Sequence, residues 1–198
     1  MAQVKTCDLV ETEQKAPEGE TGGAQEGVSV PTLRRAVHRA RILRDIKLRT
    51  NEVSATIVIA PDGFGKTTLL CQRVAEVQRD SSRGVARMID AAGMDGEELY
   101  GLLGELEMHL DARMRPLVAI DNLPTLHGAA LEGVAGRMRS LHRRGFEFLL
   151  ACLPGNRAFA NGMGDAYKVT PQALVVRPRE YSDWTRMLGI SGELDVYD

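Results

Sequence analysis

The feature that most constrains this chain is a short apolar run that leads directly into a glycine-rich turn. Ala55–Ala60 reads ATIVIA, and Ala60–Leu70 continues as APDGFGKTTLL. The turn matches the pattern G-x-x-x-x-G-K-[ST], with Ala60 at the first glycine position. Such a loop curls its backbone N–H groups inward around a phosphate, and Gly63 and Gly65 permit that curl. The sequence therefore predicts a strand, a phosphate-binding loop and a helix, in that order.

A helix that begins at Lys66 and Thr67 would point its positive dipole end and free amides at the phosphates. Lys66 is then predicted to reach the β- and γ-phosphates, and the Thr67 hydroxyl to ligate Mg²⁺. The alternative, a glycine turn that carries Lys and Thr by coincidence, leaves the flanking strand and helix patterns unexplained. The predicted nucleotide-binding residues of the loop are Ala60, Pro61, Asp62, Gly63, Phe64, Gly65, Lys66, Thr67 and Thr68.

A second apolar run, Leu117–Ile120, ends in Asp121 and Asn122. An acid that closes a buried strand downstream of a phosphate loop is the Walker B arrangement, in which the carboxylate binds Mg²⁺ through water. The alternative role for Asp121 is a turn or cap residue. Asn122 stands where many ATPases carry a second acid, and an amide orients water but accepts protons poorly. Lys66, Asp121 and Asn122 are thus the candidate catalytic residues, and slow or absent hydrolysis is expected.

Short apolar runs alternate with helical patterns along the rest of the chain, which predicts an α/β fold with a parallel sheet. The runs are nearly continuous, as expected for strands covered on both faces. The predicted strands are Ala55–Ala60, Val85–Ile89, Leu117–Ile120, Phe146–Cys152 and Ala173–Val176, and the predicted helices between them are Thr67–Arg79, Gly96–Leu110 and Leu126–Arg143.

The first 29 residues are acidic, glycine-rich and free of aromatic side chains. They cannot bury enough apolar area to offset their ordering entropy, so residues 1–29 are predicted to be a disordered tail and 30–198 a single domain. From Pro31 onward, apolar residues recur every three or four positions, which predicts a helix. Its other faces carry seven basic residues between Arg34 and Arg49. A solvated face is the expected reading, with phosphate or membrane-surface binding as alternatives.

Composition excludes several classes of protein. The formal net charge is -2, which does not fit a uniformly basic nucleic-acid-binding surface. No apolar run approaches the ~18–20 residues that cross a bilayer. The N-terminus lacks the apolar and basic regions of a secretory signal, so a cytoplasmic protein without membrane contact is expected. The three cysteines form no Cys-x-x-Cys pair, which predicts neither a disulfide framework nor a thiolate zinc site.

The loop APDGFGKTTLL resembles the APAGYGKTTL loop of the STAND ATPases, in particular the nucleotide-binding domain of large LuxR-type transcriptional activators of the maltose-regulator kind. Weaker resemblance covers roughly Pro31 to Ile190 and includes the segments Val37–Leu43, Val85–Asp90, Leu117–Leu123 and Phe148–Ala151. It implies a three-layer P-loop NTPase domain whose five parallel strands run in the order 5-1-4-3-2. It also implies that Arg39 and Arg41 lie near the nucleotide base.

The same resemblance implies a function. ATP with Mg²⁺ would hold such a domain in an assembly-competent state, and hydrolysis to ADP would reset it. Self-association or a regulatory protein partner is expected, with any DNA contact made through a separate domain. Arg177–Trp184 resembles the start of the family's helical lid, so the chain is expected to be either a shortened relative or a fragment of a larger regulator.

Departures from the family pattern bear mainly on hydrolysis. Asp62 replaces a small apolar residue and places a negative charge beside the phosphates. Cys152 and Leu153 stand where the family has Ser-Arg, with Arg157 as a possible substitute for that arginine. Asn122 and Pro124 stand where an acid and a histidine are common. These departures favour nucleotide binding with little turnover.

Two other functions remain open from the sequence. The loop also resembles that of thymidylate kinases, which suggests a nucleoside monophosphate kinase-like phosphotransferase. Such an enzyme needs an arginine-bearing lid, and the loop 154–167 offers only Arg157. The second alternative is a binding module that acts on DNA or a partner through its basic helix and keeps a vestigial nucleotide site.

Overall fold

The computed structural model describes residues 4–5, 36–80 and 85–189. Most of the tail expected at residues 1–29 lies outside these ranges, as do Arg34 and Arg35. None of the helices in the described ranges is long and apolar enough to cross a membrane. In chain order the elements are β1 (Val4–Lys5), α1 (Ala40–Arg49), β2 (Thr56–Ile59), α2 (Lys66–Arg79), β3 (Ala86–Asp90), α3 (Gly96–His109), β4 (Leu117–Asp121), α4 (Gly128–Arg143), β5 (Glu147–Cys152), α5 (Arg157–Gly162), β6 (Tyr167–Val169), α6 (Pro171–Leu174) and α7 (Pro178–Met187).

The described strands form one sheet in the order β1-β3-β4-β5-β2-β6. β1 pairs antiparallel with β3, which is the outermost strand of the parallel set. All other neighbouring strands pair in parallel. Numbered along the chain from β2, the five parallel strands stand in the order 2-3-4-1-5, which is the predicted order read from the other edge. The predicted α/β fold with a five-stranded parallel sheet is therefore confirmed.

The sheet has a hydrophobic core on each face, which explains why its strands read as continuous apolar runs. In β4, Val118 and Ile120 pack in one core with α3, α4 and α5. Leu117 and Ala119 point to the opposite face and pack with α1 and α2. Successive side chains of a strand point to opposite faces, so one strand serves both cores. The result is the expected three-layer arrangement of helices, sheet and helices.

The fifth parallel strand is Tyr167–Val169, and the prediction of a strand at Ala173–Val176 was wrong. Pro171 begins the short helix α6, a position where its fixed backbone angle and missing N–H are tolerated. The apolar run is then divided between the end of that helix and an exposed segment, in which Val175 is 57% exposed. The actual strand pairs in parallel with β2 and has no apolar run of its own.

The basic helix begins later than its sequence pattern predicts. The pattern starts near Pro31, whereas α1 starts at Ala40 and residues 36–39 are not helical. The side chain of Gln72 on α2 explains this: its Nε2 donates to Val37 O at 2.9 Å, and its Oε1 accepts from Arg39 N at 3.1 Å. These bonds hold the segment against α2 and take backbone groups that a helix would use.

Candidate functional site

The glycine-rich loop connects the carboxyl end of β2 to the start of α2. Ala60 N donates to Cys152 O at 3.2 Å, which fastens the base of the loop to β5. Gly63 and Gly65 adopt φ angles of 81° and 75°, a left-handed conformation that side chains other than glycine rarely adopt. A Cβ added at either glycine would meet no described atom within 4 Å. The glycines are therefore required by the backbone curl, and the space beside them is open for a ligand.

Lys66 opens α2 and turns its ammonium back into the loop. Its Nζ donates to Pro61 O at 2.9 Å and to Asp62 Oδ1 at 3.3 Å. The Lys66 side chain is 7% exposed, whereas that of Asp62 is 88% exposed. The lysine is thus held over the loop by internal acceptors, which is where a phosphate oxygen would compete for it. The charge that neutralises Asp62 in the structure is Lys66 itself.

Thr67 and Asp121 meet at the carboxyl edge of the sheet. Thr67 Oγ1 donates to Asp121 Oδ2 at 2.6 Å, and Asp121 Oδ1 accepts from Asn122 N at 3.0 Å. Asp121 is 5% exposed, so its carboxylate is fixed by packing as well as by these bonds. A hydroxyl and a carboxylate side by side are oxygen ligands of the kind that Mg²⁺ prefers. The residues present therefore fit the predicted metal ion.

Asn122 directs its side chain toward an acid that the sequence analysis did not select. The residue has a φ angle of 53°, a left-handed conformation that asparagine tolerates better than most residues. Its Nδ2 donates to Asp90 Oδ1 at 2.9 Å. Asp90 ends β3 and lies in register with Asp121 on the neighbouring strand. The signal that could have found it is the repeated ending Ile-Asp, which closes both strands.

A cavity of about 430 Å³ opens beside the loop. Its walls come from three separate parts of the chain: residues 36–39, the glycine-rich loop with Thr68, and the stretch from the end of α6 into α7. The lining residues are Ala36, Val37, Arg39, Gly63, Phe64, Gly65, Thr68, Leu174, Val176 and Trp184. The lining is mainly apolar with few polar groups, which is typical of a small-molecule site.

Arg39 supplies the positive charge of this cavity, and its side chain is 7% exposed. Its Nη2 donates to Leu174 O, while its Nη1 lies 3.8 Å from Glu180 Oε2. Within the described ranges this buried Nη1 has no hydrogen-bond partner. Burial lowers the pKa of the Arg39 guanidinium, Glu180 raises it and Arg41 lowers it further. A buried cation therefore forms part of the cavity wall.

Arg41 does not join Arg39 in this cavity. Arg41 Nη2 donates to Ala173 O at 2.8 Å, and the side chain lines a second cavity of about 500 Å³ between α1 and α7. Of the two arginines expected near the base, the structure brings only Arg39 to the loop. Arg157 is exposed at the start of α5, and Cys152 is buried. Burial raises the pKa of the Cys152 thiol to about 11, although the Lys66 charge lowers it.

Strand order and loop together define the class of this protein. Five parallel strands in the order 2-3-4-1-5, with a lysine-bearing glycine loop after the first, make this a P-loop NTPase fold. No protein-family model and no curated protein sequence matches the chain.

Several solved structures are similar to this chain at low sequence identity. PCH-2 of C. elegans is 16% identical with a TM-score of 0.43, over 69% of this chain and 41% of that one. AMPPCP-bound DnaA from Aquifex aeolicus is 11% identical with a TM-score of 0.48, over 80% and 54%. A Walker-type ATPase of Pyrococcus abyssi is 14% identical with a TM-score of 0.48, over 79% and 60%. The chain thus spans less than two thirds of each of these proteins, and the fold assignment rests on its own topology and loop.

Proposed function

We propose that this chain is an ATP-binding switch domain of the STAND, LuxR-type class, with weak or absent ATP hydrolysis. The observation that carries the proposal is the arrangement at the head of α2. There the left-handed glycines curl the loop, Lys66 lies over it, and the Thr67 hydroxyl touches the Asp121 carboxylate at 2.6 Å. A triphosphate with its metal ion needs these groups: inward amides, a cation and paired oxygen ligands.

The phosphate groups would bind along the loop and the first turn of α2. Loop amides and the helix dipole favour negative charge there. The Lys66 ammonium would exchange its bond to Pro61 O for bonds to phosphate oxygens. Thr67 and Asp121 would hold Mg²⁺, which would neutralise part of the negative charge of the phosphates. Asp121 keeps its orientation because Asn122 N donates to its other oxygen.

The nucleoside would occupy the neighbouring cavity of about 430 Å³. Phe64 and Trp184 offer aromatic surface there, and the Arg39 guanidinium adds a positive charge to the lining. Trp184 belongs to α7, so the ligand would contact the C-terminal helix directly. A ligand shifts a conformational equilibrium only through contacts that differ between the two states. Contacts with Trp184 would be lost if α7 moved away, which supports a switch whose output runs through α7.

The basic helix gives less support to a DNA-binding module. Three of the described basic side chains in and just before α1 make contacts inside the chain. Arg39 and Arg41 bond to backbone oxygens of α6, and the Arg49 guanidinium lies 4.8 Å from the ring centre of Tyr167. The remaining exposed pair, Arg44 and Lys47, is a small surface for phosphate contacts.

Isothermal titration with Mg·ATP tests the proposal. Trp184 is the only tryptophan of the chain, so its fluorescence supplies a second readout of the same event. Lys66→Ala removes a charge-assisted bond of about 1.5–3 kcal/mol, which predicts a ~10- to 100-fold higher Kd. Asp165→Asn, which changes one charge at an exposed site outside the loop, is the control and should leave the Kd unchanged.

The absence of binding heat and of a Trp184 signal for the wild type would refute the proposal. Equal binding by Lys66→Ala and the wild type would do the same. Two further assays separate the alternatives. Phosphoryl transfer from ATP to a panel of nucleoside monophosphates would identify a kinase. DNA affinity that falls steeply with salt would identify a basic binding module.

A further inference from the structure

The acid that accepts a hydrogen bond from Asn122 ends the strand beside the one that carries Asp121. Asp90 and Asp121 end neighbouring parallel strands in register, and such strands lie about 4.8 Å apart. The Asp121 carboxylate already accepts hydrogen bonds from the Thr67 hydroxyl and from the backbone N–H of Asn122. Asp90 is only partly buried, so it retains access to solvent.

We infer that Asp90 is the catalytic acid–base residue of a slow ATPase and that Asn122 is its positioning residue. The inference rests on the proposed ATP site. The side-chain amide of Asn122 donates from Nδ2 to Asp90 Oδ1 at 2.9 Å, and this bond restrains the orientation of the Asp90 carboxylate. Ala92 N donates to the same oxygen at 3.1 Å, so the carboxylate is held from two directions.

The chemical step follows from this placement. The Asp90 carboxylate orients a water molecule toward the γ-phosphate and accepts its proton as the oxygen attacks. A bond forms between the water oxygen and the γ-phosphorus, and the bond from that phosphorus to the bridging oxygen breaks. The electron pair of the broken bond leaves with ADP. The products are ADP and phosphate, and the proton on Asp90 returns to solvent.

A purely structural role for Asp90 makes a different prediction. The bond from Ala92 N closes a tight turn after β3, and a turn residue matters for stability alone. The variant Asp90→Asn separates the two roles because its amide oxygen still accepts from Ala92 N and from Asn122 Nδ2. The variant therefore keeps both bonds and removes the charged proton acceptor. A structural role would leave turnover unchanged.

The test measures binding and turnover on the full chain. Mg·ATP affinity is taken from titration calorimetry and Trp184 fluorescence, and phosphate release from single-turnover reactions with protein in excess. For Asp90→Asn we expect a Kd within about threefold of the wild type and at least ~100-fold slower release, which is the size of a general-base contribution. Asn122→Ala should lower the single-turnover rate constant of phosphate release by about tenfold, with an unchanged Kd for Mg·ATP. Asp165→Asn is the matched control and should behave as the wild type.

Each other outcome is decisive. If the wild type does not bind Mg·ATP, the proposed function itself fails. If it binds but releases phosphate no faster than a protein-free solution, the role of Asp90 is refuted while the binding function stands. Equal release by Asp90→Asn and the wild type also refutes it. A large loss of affinity in Asp90→Asn would show that the carboxylate supports ligand binding and not the water.

Discussion

Asp62 competes with the ligand for Lys66, so its removal should tighten nucleotide binding. The carboxylate lies 3.3 Å from Lys66 Nζ at the mouth of the loop. It therefore occupies part of the lysine's hydrogen-bonding capacity and adds a negative charge where phosphates would bind. Asp62→Asn keeps the size of the side chain, removes the negative charge and weakens the bond to Lys66, because a neutral amide oxygen is a weaker acceptor for an ammonium than a carboxylate is.

The expected magnitude is modest because Asp62 is 88% exposed. An exposed ion pair contributes about 0.2–1 kcal/mol. Repulsion between two unit charges about 5 Å apart in water adds roughly 0.8 kcal/mol at most. With partial screening by salt and Mg²⁺, the sum is about 0.4–1.4 kcal/mol, which corresponds to a ~2- to 10-fold lower Kd.

Calorimetric titration with Mg·ATP at two salt concentrations measures this effect. The gain should be largest near 50 mM salt and should shrink toward 1 M, where the Debye length falls to about 3 Å. In a Lys66→Ala background the gain should become smaller, because the competition for the lysine no longer exists. Asp165→Asn controls for the change in net charge. An unchanged or weaker affinity of Asp62→Asn at low salt would refute the reasoning.

Three further predictions concern stability and reactivity. Gly65→Ala forces alanine to a φ angle of 75° in open space, so we expect a loss of about 1–2 kcal/mol in thermal unfolding from backbone strain alone. Arg73→Met removes the guanidinium that lies 3.0 Å from the buried Glu147, which should cost about 3–5 kcal/mol in urea unfolding, and replacing both residues by apolar ones should recover most of it. Because burial raises the pKa of Cys152 to about 11, its alkylation measured by peptide mass spectrometry should be slow at pH 8 and should accelerate only toward pH 11. The same shift means that the stabilising effect of the neutral thiol is present below about pH 8.5 and is lost as the pH rises to 11.

The sequence predicted the parts of the fold that depend on local patterns. The loop pattern placed the start of α2 correctly, because Gly65 takes the left-handed conformation just before Lys66. The pattern for α3 was equally informative: Asp95 caps the helix and Glu98 completes a capping box, so Gly96 is its first residue. Asp121 ends β4 as expected, since a buried apolar strand requires a polar residue where it reaches solvent.

Features that depend on distant parts of the chain were not predictable in the same way. β6 is three residues long, and its identity as a strand comes from pairing with β2. The non-helical course of residues 36–39 comes from Gln72, which lies more than thirty positions away along the chain. The bond between Asn122 and Asp90 depends on the register of β3 against β4. Sequence patterns describe each segment separately, whereas these features depend on strand pairing and hydrogen bonds between segments that are distant along the chain.

Under the proposed function, the geometry of the site limits both the affinity for nucleotide and the rate of its turnover. Lys66 is satisfied by Pro61 O and Asp62 before a ligand arrives, so part of the binding energy is spent on replacing those bonds. Asn122 directs its side-chain donor toward Asp90, so orientation of the attacking water depends on an acid one strand away from Asp121. At the same time, the cavity proposed for the nucleoside is bounded by Arg39 and Trp184, and Arg39 lies 3.8 Å from Glu180 of α7. In the proposed switch, a ligand that draws Arg39 toward itself would weaken that ion pair, so the free energy of binding would be available to reposition α7, and slow hydrolysis would set how long the new position lasts.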